Sequence, residues 1–268
     1  MKKYVFVLML MTLWATTAHA DSRHFGYSYE ADSVLEKGMS EFEQWVTLRD
    51  GKNSGNFSRW DIREEIEHGF TTRVTSALYL NFVATHSQGV SGTADTDGME
   101  FDGISNEWKY MALSPNLHPL GLLLYLEPAY SGKELEIETK VALQHNFGDN
   151  WIWIANATAE PQFEFQPGKN GKVLALEFST GLAYKISPHW STGLEVRNVN
   201  TYEDFKNHST SALFVGPNVH YDWSNGWATL VFLPQLPCEN GNRTFADQEA
   251  LDVRLMAGFT FGNPKKSY

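Results

Sequence analysis

The chain has 268 residues, and its 32 acidic and 21 basic side chains give a formal net charge of −11 at pH 7. An acidic balance of this size argues against nucleic acid and anionic membrane surfaces as partners. The single cysteine, Cys238, excludes an internal disulfide bond.

The start of the chain has the three parts of an export signal. Lys2 and Lys3 form a charged start, residues 4–14 are apolar, and residues 18–20 form a small-x-small cleavage site. The apolar stretch is too short to span a bilayer, so we predict that residues 1–20 are a signal peptide cleaved after Ala20. The mature chain then has 19 basic and 32 acidic residues, a net charge of −13, and enough length for one large all-β domain.

Residues 21–37 show no sustained period, and we predict that they form an N-terminal periplasmic lead-in. From Gly38 onward apolar and polar residues alternate, which places successive side chains on opposite faces of a β-strand. This alternation predicts a β-barrel over residues 38–261, followed by a short periplasmic tail at 262–268. The predicted strands are 39–49, 59–67, 73–82, 104–112, 120–130, 134–146, 151–165, 173–186, 191–202, 211–223, 227–236 and 251–261.

The predicted hairpin at 59–82 poses the main structural question. Its first strand carries charged residues on one face and apolar residues on the other, and a tight turn leads to a second strand with a similar division. In a soluble sheet the charged face would meet water and the apolar face would meet a core. In a transmembrane barrel the apolar face meets lipid and the charged face lines the lumen.

Three features of the whole chain favour the membrane barrel over an exported soluble β-sandwich or soluble barrel. The strand count is even, as in single-chain bacterial barrels. Short connectors alternate with longer ones, and only the short connector at 131–133 departs from this rule. Aromatic residues cluster at strand ends, as two interfacial girdles would require. We therefore predict an all-β fold, a transmembrane antiparallel up-and-down β-barrel of about 12 strands. Pro217, in the middle of a predicted strand, predicts a β-bulge there.

Several segments match a recognisable pattern. They are GxxExExWVTxR at 38–49, the hairpin at 61–81 ending ALYLN, FDGIS at 101–105, LYLEP at 124–128, GLEVRN at 193–198, VGPNVHY at 215–221 and WATLVFLPQLP at 227–237. Together they make the chain resemble a proteobacterial family of uncharacterised outer-membrane β-barrel proteins of unknown function. The resemblance implies the barrel fold and a location in the outer membrane of a Gram-negative bacterium, and it brings no catalytic residues.

The last predicted strand, which ends Phe259-x-Phe261, resembles the assembly signal of outer-membrane proteins. It departs from the usual pattern because a further segment, GNPKKSY, follows Phe261. The resemblance implies that the barrel-assembly machinery is a partner during insertion. Outer-membrane lipid and lipopolysaccharide are the other expected surroundings of the barrel.

Charged residues at inward-facing positions are the strongest indication of function. Their acidic excess favours cations or amine-bearing solutes, so we predict a passive, porin-like channel for a small solute. The alternative is a structural or adhesive barrel whose lumen these residues plug as salt bridges. The predicted lumen-lining residues are Glu41, Glu43, Arg49, Arg59, Asp61, Arg63, Glu65, Glu67, Arg73, Glu134, Glu136, Glu138, Lys140, Glu195, Arg197 and Arg254.

A third hypothesis is a lipid or lipopolysaccharide hydrolase acting at the outer rim. It would need a nucleophile, a histidine and an acid close together. The candidates are His86 with Ser87, which precede an acidic loop at 95–102, and His208 with Ser209. Neither pair has a recognisable nucleophile motif, so we predict that the protein is not an enzyme.

We also predict no metal site and no cofactor. The sequence has no HExxH motif, no pair of cysteines and no glycine-rich phosphate loop. A small solute is then the remaining expected ligand, and the sequence leaves its identity and the oligomeric state open.

Overall fold

The computed structural model describes residues 23–165, 171–238 and 240–264. Its strands are β1 (Met39–Asp50), β2 (Asn56–Gly69), β3 (Val74–Gln88), β4 (Thr96–Leu113), β5 (Gly121–Tyr130), β6 (Glu134–Phe147), β7 (Trp151–Glu164), β8 (Lys172–Lys185), β9 (Trp190–Glu203), β10 (Asn207–Trp223), β11 (Gly226–Leu236) and β12 (Leu251–Gly262). Each strand pairs antiparallel with its neighbours in sequence, and β1 pairs with β12 to close a barrel. The predicted antiparallel barrel of about twelve strands is confirmed. The predicted signal peptide, residues 21–22, most of the connector at 166–171 and residues 265–268 lie outside the described residues.

The barrel has two distinct ends. The first residue of β1 and the last residue of β12 pair at one end, which we call the turn end; the opposite end is the loop end. The predicted difference in connector length is weaker than expected, because β3, β4 and β10 extend into segments predicted as loops. At the loop end, the longest connection between the described strands is the one between β11 and β12, at 237–250.

Large apolar side chains cover the outside of the wall. Trp60, Ile66, Leu78, Leu80 and Leu255 are each more than 40 % exposed, and similar residues continue around the barrel. Soluble monomers rarely expose a continuous apolar surface of this extent, because the hydration of a large apolar area is unfavourable in free energy. The outer face is therefore suited to lipid.

Aromatic pairs mark both edges of this apolar face. At the turn end the Trp151 and Tyr184 ring centroids lie 4.7 Å apart, and those of Trp190 and Tyr221 lie 4.6 Å apart. At the loop end, the ring centroids of Phe82 and Phe101 lie 5.5 Å apart. Amphipathic and aromatic rings at two levels are typical of membrane interfaces.

The predicted bulge at Pro217 is wrong. Pairing of β10 with β11 lapses between Phe214↔Gln235 and Asn218↔Val231, but the register is the same on both sides. The register with β9 also continues through Pro217 without a shift. A Cβ on the neighbouring Gly216 would lie 1.8 Å from the carbonyl oxygen of Phe232, so the two backbones approach closely here. Glycine at that position lets β10 pass Pro217 without inserting an extra residue.

The interior of the barrel next to the turn end contains residues 23–35, which we call the N-terminal segment. It has no regular secondary structure, and nine consecutive residues, 23–31, are buried. Phe25, Tyr27 and Tyr29 each pack in a different buried apolar cluster against the inner wall. The stretch predicted as a periplasmic lead-in therefore lies, over its described part, largely inside the lumen. The sequence of this stretch has no polar–apolar period because the barrel wall encloses it, so that both of its faces are buried.

In the described part of the chain, no helix is long and apolar enough to cross a membrane.

Candidate functional site

The inward-facing charges form two layers along the barrel axis. In the half next to the turn end, five predicted carboxylates are no more than 2 % exposed: Glu41, Glu43, Glu65, Glu67 and Glu195. We call them the acidic layer. Ten further predicted residues line one cavity of about 730 Å³ in the half next to the loop end, which we call the vestibule: Arg49, Arg59, Asp61, Arg63, Glu134, Glu136, Glu138, Lys140, Arg197 and Arg254. Arg73 joins neither group, because it lies exposed in the turn between β2 and β3.

Lys109 neutralises part of the acidic layer. Its Nζ lies 2.7 Å from a carboxylate oxygen of Glu67 and 3.2 Å from one of Glu107. The Tyr79 hydroxyl also donates to Glu107, at 2.7 Å. Glu107 and Lys109 are inward-facing residues of β4 that the predicted lining did not include. Only the pairing of β2, β3 and β4 brings them against Glu67.

Two buried tryptophans satisfy other carboxylates of this layer. The indole N–H of Trp45 donates to Glu43 at 2.6 Å, and that of Trp227 donates to Glu41 at 3.0 Å. An indole has a donor and no acceptor, so it suits a buried carboxylate. These contacts give Glu41 and Glu43 a buried hydrogen-bond donor each.

Glu195 holds the innermost turn of the N-terminal segment. Its carboxylate accepts the backbone N–H groups of Gly26, of Tyr27 at 3.1 Å and of Ser28 at 3.3 Å. Hydrogen bonds to a charged acceptor are among the stronger ones in proteins, and three of them here converge on one side chain. Glu195 was predicted as a lining residue, and the structure gives it a contact with the segment instead of with open lumen.

Two arginines clamp the ring of Tyr27 at the floor of the vestibule. The guanidinium carbons of Arg197 and Arg254 each lie 3.8 Å from the ring centroid. Arg254 also donates to the carbonyl oxygen of Gly26 at 3.0 Å. Cation–π contacts of desolvated arginines stabilise such an arrangement by up to about 2 kcal/mol each.

Side-chain amides and a hydroxyl receive the rest of the segment's backbone. Asn156 accepts the N–H of Tyr29 at 2.6 Å and donates to its carbonyl oxygen at 3.0 Å. Gln144 accepts the N–H of Ala31 at 2.7 Å, and Thr75 accepts the N–H of Leu35 at 3.0 Å. A buried chain without regular structure needs such partners, because each unpaired backbone group would be costly. The inner wall is thus fitted to this segment.

One ion pair, between His24 and Glu30, joins two parts of the N-terminal segment. The Nδ1 atom of His24 lies 2.7 Å from Oε1 of Glu30, and the His24 N–H donates to the other oxygen at 2.8 Å. Burial disfavours the charge on His24, but the Glu30 carboxylate outweighs this effect and raises the His24 pKa. Burial likewise opposes the charge on Glu30, and the contact with His24 outweighs it and lowers the Glu30 pKa.

The vestibule has a basic wall and an acidic wall that face each other. In the order of a twelve-strand barrel, β1 lies opposite β7. The basic wall, on β12, β1 and β2, consists of Arg254, Arg49, Arg59 and Arg63. The acidic wall, on β6, β7 and β8, consists of Glu134, Glu136, Glu138, Glu160, Glu164 and Glu177. The arrangement creates an electric field across the cavity.

Each wall has local pairs. On the basic wall, Asp61 lies 2.6 Å from Nε of Arg49 and 2.6 Å from Nε of Arg59. On the acidic wall, the Nζ of Lys140 lies 2.7 Å from Glu138. These pairs reduce the charge of each wall without reversing it.

The residues considered for rim hydrolysis do not form a catalytic cluster. His86 and Ser87 are neighbours on β3, so their side chains point to opposite faces, and Ser87 is buried whereas His86 is exposed. His86 lies 3.8 Å from Asp97, and both side chains are exposed. His208 lies at a register shift of β10, next to Ser209. Neither pair has the nucleophile–base hydrogen bond that acyl transfer requires.

Comparison with known proteins identifies relatives of the fold. A family model described as "Family of unknown function (DUF6662)" matches residues 17–261. The COG4313 outer membrane channel from Pseudomonas putida F1 superposes with a TM-score of 0.61 at 14 % identity, covering 85 % of this chain and 97 % of the channel. The NanC porin superposes with a TM-score of 0.56 at 10 % identity, covering 81 % of this chain and 98 % of the porin. No curated protein matches the sequence. At these identities the two structures show a shared barrel fold.

Proposed function

This chain belongs to the DUF6662 family, whose function is unknown, and we propose that it is an outer-membrane channel for a small hydrophilic solute. Two observations support the location, the apolar outer face and the aromatic pairs at its two edges. The export signal expected from the sequence agrees with this location. In this proposal the turn end faces the periplasm and the loop end faces the outside. The channel and the porin with the same fold support the class of function.

The vestibule is the observation that carries the proposal. It extends from Ser131, Ser209 and Gln248 at the loop end to Tyr27 and Tyr29 of the N-terminal segment. Its volume of about 730 Å³ is within the range of small-molecule sites, so a small polar solute fits within it. A barrel with a purely structural role would gain nothing from an open cavity of this volume.

The charges of the vestibule indicate which solutes it favours. Twelve carboxylates and six basic side chains line it among the described residues. This excess favours cations and amine-bearing solutes over anions. The two opposing walls also orient a solute that carries separated positive and negative groups.

The N-terminal segment fills the half of the lumen next to the turn end and so closes that part of the solute path. It precedes β1 and belongs to no strand, so it can move without breaking any pairing of the wall. Passage of a solute toward the turn end therefore requires the segment to shift. We infer a channel that rests closed and opens when residues 23–35 leave their wall contacts.

Conductance in planar bilayers tests the proposal. The refolded mature chain should conduct weakly and intermittently, and a variant lacking residues 23–35 should conduct steadily with a preference for cations. The shift of folded barrels in heat-dependent gel migration would verify that both proteins are folded. A folded deletion variant without conductance would overturn the channel.

A structural barrel with a closed lumen is the second candidate function. The dense bonding of the N-terminal segment to Glu195, Asn156 and Gln144 favours it. Under this alternative the intact chain should never conduct, and removal of the segment should lower the stability of the barrel. We propose no catalytic role, because the candidate serine–histidine pairs lack catalytic geometry.

A further inference from the structure

Two histidines and a carboxylate meet where the N-terminal segment contacts β10. His24 comes from the segment, and His220 and Asp222 come from β10 near the turn end. One potential ligand atom of each residue lies within 4.8 Å of those of the other two. The ring centroids of the two histidines are 4.6 Å apart. The sequence does not reveal this cluster, because folding brings together residues from opposite ends of the chain.

Hydrogen bonds fix the Nδ1 atom of each imidazole. The Nδ1 atom of His24 is engaged by Glu30 at 2.7 Å, which leaves its Nε2 as the ligand atom. The Nδ1 atom of His220 is engaged by the Thr229 hydroxyl at 2.7 Å, and its Nε2 lies 2.9 Å from Oδ2 of Asp222. Metal-ligating histidines characteristically have such a partner on the second nitrogen, often a carboxylate, which fixes the ring and its tautomer.

The surroundings suit a divalent cation. Asp222 and Glu30 contribute two negative charges, which the nearby Lys185 partly offsets. His24 and His220 are buried, 8 % and 1 % exposed, whereas the Asp222 side chain is 28 % exposed. The cluster is therefore shielded on the lumen side and accessible from the turn end. Small rotations of the side chains would bring the ligand atoms to the spacing of about 3.3 Å that tetrahedral zinc requires.

We propose that His24, His220 and Asp222 bind one divalent transition-metal ion, with Zn²⁺ as the best match to two imidazoles and a carboxylate. The ion fastens the N-terminal segment to β10, and water fills its fourth position from the turn end. The proposed metal site depends only on the fold. Any effect of the bound metal on conduction also depends on the proposed channel function.

Titration calorimetry with ZnCl₂ on the untagged, refolded mature chain in detergent tests the site directly. We expect one ion per chain, and at least a 10-fold loss of affinity for both His24→Ala and His220→Ala. His118→Ala is the matched control, because His118 is an exposed histidine in a turn at the same end, and it should bind as the wild type does. Absence of binding, or unchanged binding by both site variants, would overturn the site.

Hydrogen exchange tests the fastening. Zn²⁺ should slow amide exchange of residues 23–30 at least 10-fold in the wild type and leave it unchanged in His220→Ala. That variant keeps the whole segment, and its heat-dependent gel migration shows whether the barrel is folded. Stoichiometric binding with no slowing would refute the fastening. Binding and slowing in a protein that never conducts would count against the channel alone.

Discussion

The carboxylate of Glu195, on the inner face of β9, accepts the backbone N–H of Tyr27 at 3.1 Å, 168 residues earlier in the chain. Gly26 and Ser28 donate to the same carboxylate. A lumen residue of this barrel thus acts as a receptor for the protein's own N-terminal segment. In the proposed channel, the state of that contact decides whether the lumen is closed.

Glu195→Ala should loosen the N-terminal segment without unfolding the wall. Loss of a charged acceptor costs about 1.5–3 kcal/mol, so amide exchange of residues 26–28 should accelerate about 10- to 100-fold. Hydrogen exchange followed by mass spectrometry measures this. Glu164→Ala, in the vestibule, is the control and should leave the exchange unchanged. Equal protection in Glu195→Ala and the wild type would show that this carboxylate does not hold the segment.

Gly26→Ala should also expel the segment, for a steric reason. A Cβ on Gly26 would lie 2.3 Å from Cγ1 of Val231, so the two atoms would overlap. Val231→Ala removes that methyl group, so the double variant should recover much of the lost protection. Exchange of residues 24–28 in the single and double variants measures the recovery. A double variant as mobile as Gly26→Ala would contradict the proposed clash.

Docking of the segment should weaken as the pH rises through the pKa of Asp32. Burial and the nearby Glu30 raise this pKa from its ordinary value to about 6. The docked state therefore binds a proton that the released state gives up, and this stabilisation is lost between about pH 4 and pH 7. Asp32→Asn should show a flatter dependence and tighter docking at pH 7. Protection factors of residues 29–35, corrected for intrinsic exchange, provide the measurement, and parallel pH curves for the two proteins would disprove it.

The acidic wall should set the ion selectivity of the open channel. The double substitution Glu134→Gln with Glu164→Gln should shift the reversal potential in a salt gradient toward weaker cation preference. Arg59→Gln, on the opposite wall, should shift it the other way. The variant lacking residues 23–35 is the appropriate background, because it should conduct steadily. Shifts in the same direction for both changes would contradict the opposing-wall arrangement.

The alternation of the sequence was sufficient to predict the wall. A period of two is a local property, so it identified each strand and the inward side of residues such as Arg63 and Glu195. The position of a residue along the barrel axis depends on the pairing register of the strands. The sequence does not show that register, so it did not separate the acidic layer from the vestibule. Arg73 has the inward parity but lies in a turn, where parity no longer fixes direction.

The N-terminal segment was the main feature that the sequence analysis did not predict. An irregular chain enclosed on all sides has no period, and residues 21–37 therefore resembled a linker. Phe25, Tyr27 and Tyr29 were the available signal, because three aromatic residues in a short polar stretch are unusual for a solvated lead-in. Phe25 packs on β7 and β8, Tyr27 contacts β9 and β12, and Tyr29 contacts β7 and β4. No local pattern can identify contacts at such separations.

The N-terminal segment also bears on how the barrel closes. The seam between β1 and β12 joins the two ends of the wall, and contacts across it, such as Glu41 with Thr260, span 219 residues. Once Gly26 is docked on Glu195, the loop that the Glu41–Thr260 contact still has to close is just over a third of that length. The entropy cost of closing the loop falls by about 1 kcal/mol. The segment docked in the lumen can thus also serve as a template on which the last strands assemble.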